Sequence, residues 1–149
     1  MNNEELLERM APCGLHCGTC VAFADGPVRA HALALRELLG PNFAAYAERF
    51  AGMNPVFAGY DDFAALLDWL ANGGCSGCRG AGCLFTACKV GHCVREQGVD
   101  FCFQCSAFPC ERHGMPSALA ERWKVNNERM RSVGVERYYE VLKTKPRYP

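Results

Sequence analysis

Cysteines carry the chemistry open to this chain, and they are unevenly placed. Cys13, Cys17 and Cys20 lie in the run Cys13-Gly14-Leu15-His16-Cys17-Gly18-Thr19-Cys20. None of the eleven falls between Val21 and Gly74. The other eight, Cys75, Cys78, Cys83, Cys88, Cys93, Cys102, Cys105 and Cys110, are crowded into the next stretch with gaps of x2, x4, x4, x4, x8, x2 and x4. Thiolates in short glycine-containing loops are soft-metal ligands. Cys75-Ser76-Gly77-Cys78 presents two sulfurs to one ion, and its glycine lets backbone N–H groups approach the thiolates. A second x2 turn, Cys102-Phe103-Gln104-Cys105, can close a tetrahedral four-thiolate site with the first. Cys83, Cys88, Cys93 and Cys110 are then left as a second quartet, although spacing alone does not fix which cysteines share an ion. Buried cysteine also packs as a small hydrophobe. That reading explains one or two of these residues and not eight so close together.

The N-terminal triplet supplies three close thiolates and no obvious fourth. Its C-x3-C-x2-C spacing is similar to that holding the cluster of radical S-adenosylmethionine enzymes. A helical chain of 149 residues has no room for their partial barrel, so the likeness is confined to the spacing. A three-thiolate site is nevertheless where an open coordination position arises. A fourth ligand would come from the second cluster or from a histidine. His16, His92 and His113 stand in or beside the clusters, and we place them beside the ligands or in solvent rather than among them. His31 lies on a helix. Thiolate-only sites suit both zinc and iron–sulfur. The x2 turns followed by x4 gaps favour zinc, as two or three ions for eleven cysteines. The series Cys75 to Cys88 is also similar to auxiliary cluster-binding segments of radical enzymes, so 4Fe–4S clusters are the alternative.

The elements that position these loops read as helices. Pro27 opens a segment from Val28 to Leu39 that Gly40-Pro41 stops. A second runs from Asn42 to Ala51. A third starts at the N-cap candidates Asp61 and Asp62, turns Phe63, Leu66, Leu67 and Leu70 inward at i, i+3, i+4 and i+7, and ends at Asn72-Gly73-Gly74. Pro116-Ser117 opens another, with Leu119, Trp123, Met130 and Val133 as inner positions. Gly134 breaks it. Val135, Tyr138, Tyr139 and Leu142 line a last short helix before the tail Lys145-Pro146-Arg147-Tyr148-Pro149. No strand alternation is present. The expected fold is mainly α. It is one domain over residues 1–149, with helical scaffold at 26–72 and 115–145 and a Cys-rich loop and knuckle lobe at 11–20 and 75–113. That lobe has too little apolar material for a core of its own, so metal would stabilise it.

Charged residues make up 21% of the chain and cancel to a formal net charge of zero. This removes the simplest electrostatic case for nucleic acid or an anionic membrane. From Glu121 onward, however, eight Lys and Arg stand against four Glu, which reads as a solvated helical face or a weak anion contact. The N-terminal Met1-Asn2-Asn3-Glu4-Glu5-Leu6-Leu7-Glu8-Arg9-Met10 has neither the basic nor the apolar region of a signal peptide. No apolar run approaches the ~18 residues of a membrane span. The expectation is a cytoplasmic protein, where thiols stay reduced and metal ligation is favoured over disulfides.

Several segments together resemble domain-of-unknown-function family 3795. They are Ala11-Pro12-Cys13 through Cys20, Cys75-Ser76-Gly77-Cys78, Cys93-Val94-Arg95-Glu96-Gln97-Gly98-Val99, Cys102 through Glu111, and Asn127 through Glu136. The resemblance implies a bacterial or archaeal protein that binds zinc or a related metal, and it implies no biochemical role. The chain departs from the family pattern at Cys83-Leu84-Phe85-Thr86-Ala87-Cys88, where a tighter cysteine pair is usual. No nucleophile–base pair, phosphate loop or carboxylate-rich site is apparent, and the scattered aspartates read as caps and surface charges. The favoured reading is therefore a zinc-stabilised module that binds a protein partner rather than an enzyme. An iron–sulfur protein in electron transfer or in support of a redox or radical enzyme is the alternative. Transient handling of a soft metal or metalloid is the third reading.

Overall fold

A computed structural model describes residues 3–148. Among them are seven α-helices and no strand. They are α1 (Asn3–Arg9), α2 (Pro27–Leu39), α3 (Phe43–Ala51), α4 (Tyr60–Ala71), α5 (Val90–Gln97), α6 (Ser117–Val133) and α7 (Val135–Lys143). Short 3-10 turns occupy Cys17–Thr19, Pro55–Gly59 and Cys102–Gln104. The mainly helical reading is therefore correct. No helix among the described residues is long and apolar enough to cross a membrane. Met1, Asn2 and Pro149, on which parts of the leader and tail expectations fell, lie outside the described residues.

The chain divides into two compact units, one from Val21–Gly74 and one from the segments up to Cys20 and from Cys75 onward. In the first unit α2 and α4 meet through small residues. Ala32, Leu67 and Ala71 are buried, with Leu33, Leu39 and Leu70 against them. Alanines let the two backbones approach closely, at the cost of little apolar area per residue. Arg29 fastens the contact by donating from Nε to the Ala71 carbonyl and from a terminal nitrogen to the Ala24 carbonyl, each at 3.1 Å. Phe43, Phe50, Phe57 and Tyr60 form a chain of edge and tilted ring contacts along α3 and the following turn.

The second unit has two buried clusters. Leu6, Met10, Phe101, Met130, Tyr138 and Tyr139 make one. Ala11, Cys13, Val90 and Trp123 make the other, against which Leu15, Cys17, Cys78, Cys88, Cys102, Phe108, Cys110 and Met115 pack. Sulfur thus stands where a larger domain would place leucine.

Several expectations need correction. The third helix starts a residue earlier than its expected cap, with Gly59 at the N-cap. Asp61 and Asp62 sit inside the first turn, where their charge favours the helix N-terminus. Of its expected inner stripe only Leu67 and Leu70 turn inward, whereas Phe63 and Leu66 are exposed. On α6, Leu119 and Val133 are exposed while Asn127 is fully buried. Two helices went unread. α1 hides Leu6. α5 hides Val90 and Val94 inside the cysteine-rich stretch.

Candidate metal centre

All eleven cysteines are free thiols, and the fold sorts most of them into two groups. The first gathers loops. Cys78 shares hydrogen bonds with Cys17 and Cys83. Cys13 lies within electrostatic reach of Cys78 and Cys88, and Cys83 is reached by Cys78 and Cys20. The second group lines one small cavity of about 30 Å³, room for a single ion-sized guest. Cys93, Cys102, Cys105 and Cys110 surround it, with His113 and Trp123 in the same wall. Of the quartet expected from two x2 turns, Cys102 and Cys105 line this cavity and Cys75 and Cys78 do not, although Cys102 also lies within electrostatic reach of Cys13 and Cys88. Cys75 is engaged within its own loop. Its thiol donates to the Gly82 carbonyl at 3.3 Å and accepts from the Gly77 amide at 3.4 Å.

The backbone positions these sulfurs in a repeated way. At Cys75 the amide two residues on points at the sulfur. The same offset recurs at Cys13 with Leu15, at Cys83 with Phe85 and at Cys88 with Val90, and in each case the amide favours the thiolate. An N–H aimed at sulfur stabilises the charged form that ligates metal.

Burial opposes that charge at Cys13, Cys78, Cys83, Cys88 and Cys102. Burial, followed by the charge of Cys78, pushes Cys13 up to about 12. Burial pushes Cys102 up to about 11 against the pull of Trp123. The hydrogen bond with Cys17, then burial, carry Cys78 well above the thiol range, while Cys83 and Arg79 act the other way. Burial also raises Cys83 and Cys88. A cation among these sulfurs would offset the cost of burying their charge.

Side chains around the sulfurs are themselves fixed. Asn127 on α6 accepts from the Phe103 amide and donates to the Trp123 carbonyl, both at 3.0 Å. Arg131 donates to the Phe103 carbonyl at 2.8 Å. Gln104 Oε1 takes the amides of Asp100 and Phe101 at 2.9 Å each. The Cys102–Cys105 turn is thereby clamped to α6. Gly91 lets α5 lie against the Cys78 carbonyl, because an added Cβ would stand 2.6 Å from that oxygen. Gly14 has φ +80°, and a Cβ there would meet the Asn126 Cβ at 2.6 Å.

Two donors stand ready beside the sulfurs. The buried Trp123 Nε1 has no partner with hydrogen-bond geometry, and what it favours is the Cys102 thiolate. Arg79 lies 5.0 Å over the Phe101 ring and donates to the Asp100 carbonyl at 2.6 Å, while its Nε and one terminal nitrogen are buried without partners. Burial lowers its proton affinity; Asp100, Cys78, Cys17 and Cys13 oppose that.

The histidines take separate places. His113 is nearly buried, accepts at Nδ1 from the Met115 amide at 2.9 Å and faces Trp123. His92 is exposed beside Glu96. His16 packs edge-on against Tyr139, and burial together with Arg147, Arg9 and Lys143 lowers its proton affinity. Among the described residues, no three His, Cys, Asp or Glu side chains converge on a point that could hold an ion. The donor chemistry, the amides aimed at sulfur and the unpartnered indole N–H nevertheless fit a thiolate-bound metal. Asn127 is the positioning residue that sequence reading missed. Its signal was a polar side chain four residues after Trp123, on the inward stripe of α6.

Among known proteins, a family described as "Protein of unknown function (DUF3795)" matches residues 9–115. The resemblance read at Asn127–Glu136 lies beyond the matched residues. No curated protein and no solved structure matches the chain.

Proposed function

The chain belongs to the DUF3795 family, and we propose that it is a zinc-binding module whose ions complete the core of the cysteine-rich unit. The observation that carries this reading is the repeated amide-to-sulfur alignment at Cys13, Cys75, Cys83 and Cys88. A backbone that aims N–H groups at four thiols stabilises charge on them, and that charge must be met by a cation. All eleven cysteines are the ligand set from which the sites are drawn. Cys93, Cys102, Cys105 and Cys110 hold one ion around the small cavity. Cys13, Cys17, Cys20, Cys78, Cys83 and Cys88 supply the other, with Cys75 at its margin. Zinc suits this role because it takes four thiolates, has no redox state to protect and supplies folding energy outright.

A protein partner would dock on the helical unit, where Leu38, Leu66 and Trp69 are exposed. The protein works in a reducing compartment, the cytoplasm, where thiols stay available. An iron–sulfur reading draws support from one observation. Four other cysteines, Cys13, Cys17, Cys83 and Cys88, interact with Cys78, beside a guanidinium that would offset the charge of a cluster.

Metal and acid-labile sulfide analysis of anaerobically purified protein decides between them. About two or three zinc ions per chain without colour is the expected result. Iron with matching sulfide and visible absorption overturns zinc and establishes the cluster reading. A colourless protein without bound metal overturns both.

A further inference from the structure

The basic excess near the C-terminus is not used by the metal reading, and the fold gives it a place. A cavity of about 190 Å³ lies between the Gly14–Thr19 loop, α6 and the chain after α7. His16, Thr19, Arg122, Asn126, Lys145 and Arg147 are among its lining residues, and none of the described residues that line it is acidic. Arg147 Nε is buried and has no hydrogen-bond partner among the described residues. Glu140 and Glu5 act on Lys143, outside the lining, with Glu140 at 2.7 Å from its Nζ. Tyr138 does not compete for a guest, because its hydroxyl donates to the Gly14 carbonyl at 3.2 Å.

Three cationic side chains from two parts of the chain thus surround an open space that no acidic residue among those described lines. In a protein of zero net charge such a concentration is a local choice of charge, not a consequence of composition. A solvated helical face would spread its cations outward and satisfy each in water. Here one guanidinium nitrogen has been taken out of water and given no acceptor, which costs free energy unless a ligand supplies one.

We propose that this cavity binds a phosphate group. Arginine forks and a lysine point charge arriving from different directions match a multiply charged tetrahedral ion with several acceptor oxygens better than a planar carboxylate. The Thr19 hydroxyl and the Asn126 amide add neutral donors. The volume holds a phosphate with a short substituent, so inorganic phosphate and a small phosphate monoester are both sources of the same recognised chemistry.

The test uses the metal-loaded full chain at constant ionic strength in chloride. Inorganic phosphate, glycerol phosphate and acetate are titrated separately by calorimetry. Saturable one-site binding of phosphate or the monoester, with acetate much weaker, is the expected result. The tighter of the two phosphates identifies the source. Arg147→Ala is expected to weaken binding about tenfold or more, and Arg147→Lys to recover part of that loss. Lys124→Ala, on α6 with Arg122 but outside the lining, is expected to leave it unchanged. Metal content in all three variants should equal that of the parent, so failure here stands apart from failure of the zinc reading. Non-saturable uptake, equal binding of acetate, or equal weakening by Lys124→Ala and Arg147→Ala would overturn the proposal.

Discussion

The two sulfur groups use one kind of donor and differ in what holds it. Cys93, Cys102, Cys105 and Cys110 face a cavity lined by Val90, Val94, Phe108 and Trp123, and their central turn is clamped to α6 by Asn127 and Arg131. Cys17, Cys78 and Cys83 meet across loops, beside the partly exposed Arg79, and Cys83 is itself exposed. The cavity-lining group is enclosed by helices and apolar rings, so an ion there would replace a hydrophobic core. The loop group borders a larger open cavity of about 580 Å³ that Cys17, Cys78 and Arg79 line together with Glu4 and Glu8. Enclosure favours a closed structural site, and exposure on loops favours an exchangeable one.

The sharpest way to break this comparison is to remove one sulfur from each group. Cys105→Ser should release the ion from the enclosed group and cost several kcal/mol, about 4 or more, because metal affinity there is folding free energy. Cys17→Ser should lower metal content while sparing most of the melting temperature. Thermal melts read together with metal analysis decide it. Equal losses of stability in the two variants would abolish the distinction between a structural and an exchangeable site. Cys78→Ser is expected to fall between them, since Cys78 joins Cys17 and Cys83 and also packs in the buried cluster.

A smaller effect is expected where the scaffold rather than a ligand is changed. Asn127→Ala removes one buried and one part-buried hydrogen bond and leaves the Phe103 amide without its acceptor. The expected cost is about 2–3 kcal/mol, with loss of order at the Cys102–Cys105 turn in amide exchange. The loop group should retain its metal. Gly14→Ala acts on the other side. It places a Cβ at a positive φ and against Asn126, for an expected cost of roughly 1–3 kcal/mol. Its effect should show first at Cys13 and Cys17. If Asn127→Ala instead empties the loop group first, the two groups are one cooperative site.

These contrasts also show what the sequence made legible. Pro27, Gly40 and Gly134 are local signals, and local signals bounded α2, α6 and α7 well. The expected inner stripe of α6 is right at Trp123 and Met130 and wrong at Leu119 and Val133, because it counted apolar residues alone. The inward line is Trp123, Asn127 and Met130, and Asn127 earns a buried place only through partners on a distant turn. Helix α5 was obscured because Cys93 sits within it, and a cysteine-rich stretch reads as loops. The x2 turns were read as two halves of one site because spacing reports only neighbours in the chain. Which sulfurs meet depends on long-range contacts, such as the Cys102 amide reaching the Pro12 carbonyl at 3.3 Å.

The smallest predicted change is also the most specific to the enclosed group. Trp123→Phe keeps a large ring against Phe108 and His113 and deletes only the unpartnered Nε1–H. In a metal-free protein that deletion relieves a buried donor with no acceptor, so stability should hold or rise slightly, within about 1 kcal/mol. In the metal-loaded protein the same N–H faces a charged sulfur at Cys102, and its loss should weaken affinity for that ion about tenfold, the lower range for groups that support a ligand from behind. Chelator competition measures the affinity, and melts with and without metal measure the stability. Opposite signs in the two states are the outcome that a purely space-filling tryptophan would not give. Loss of stability in both states would make Trp123 a core residue and remove its link to Cys102.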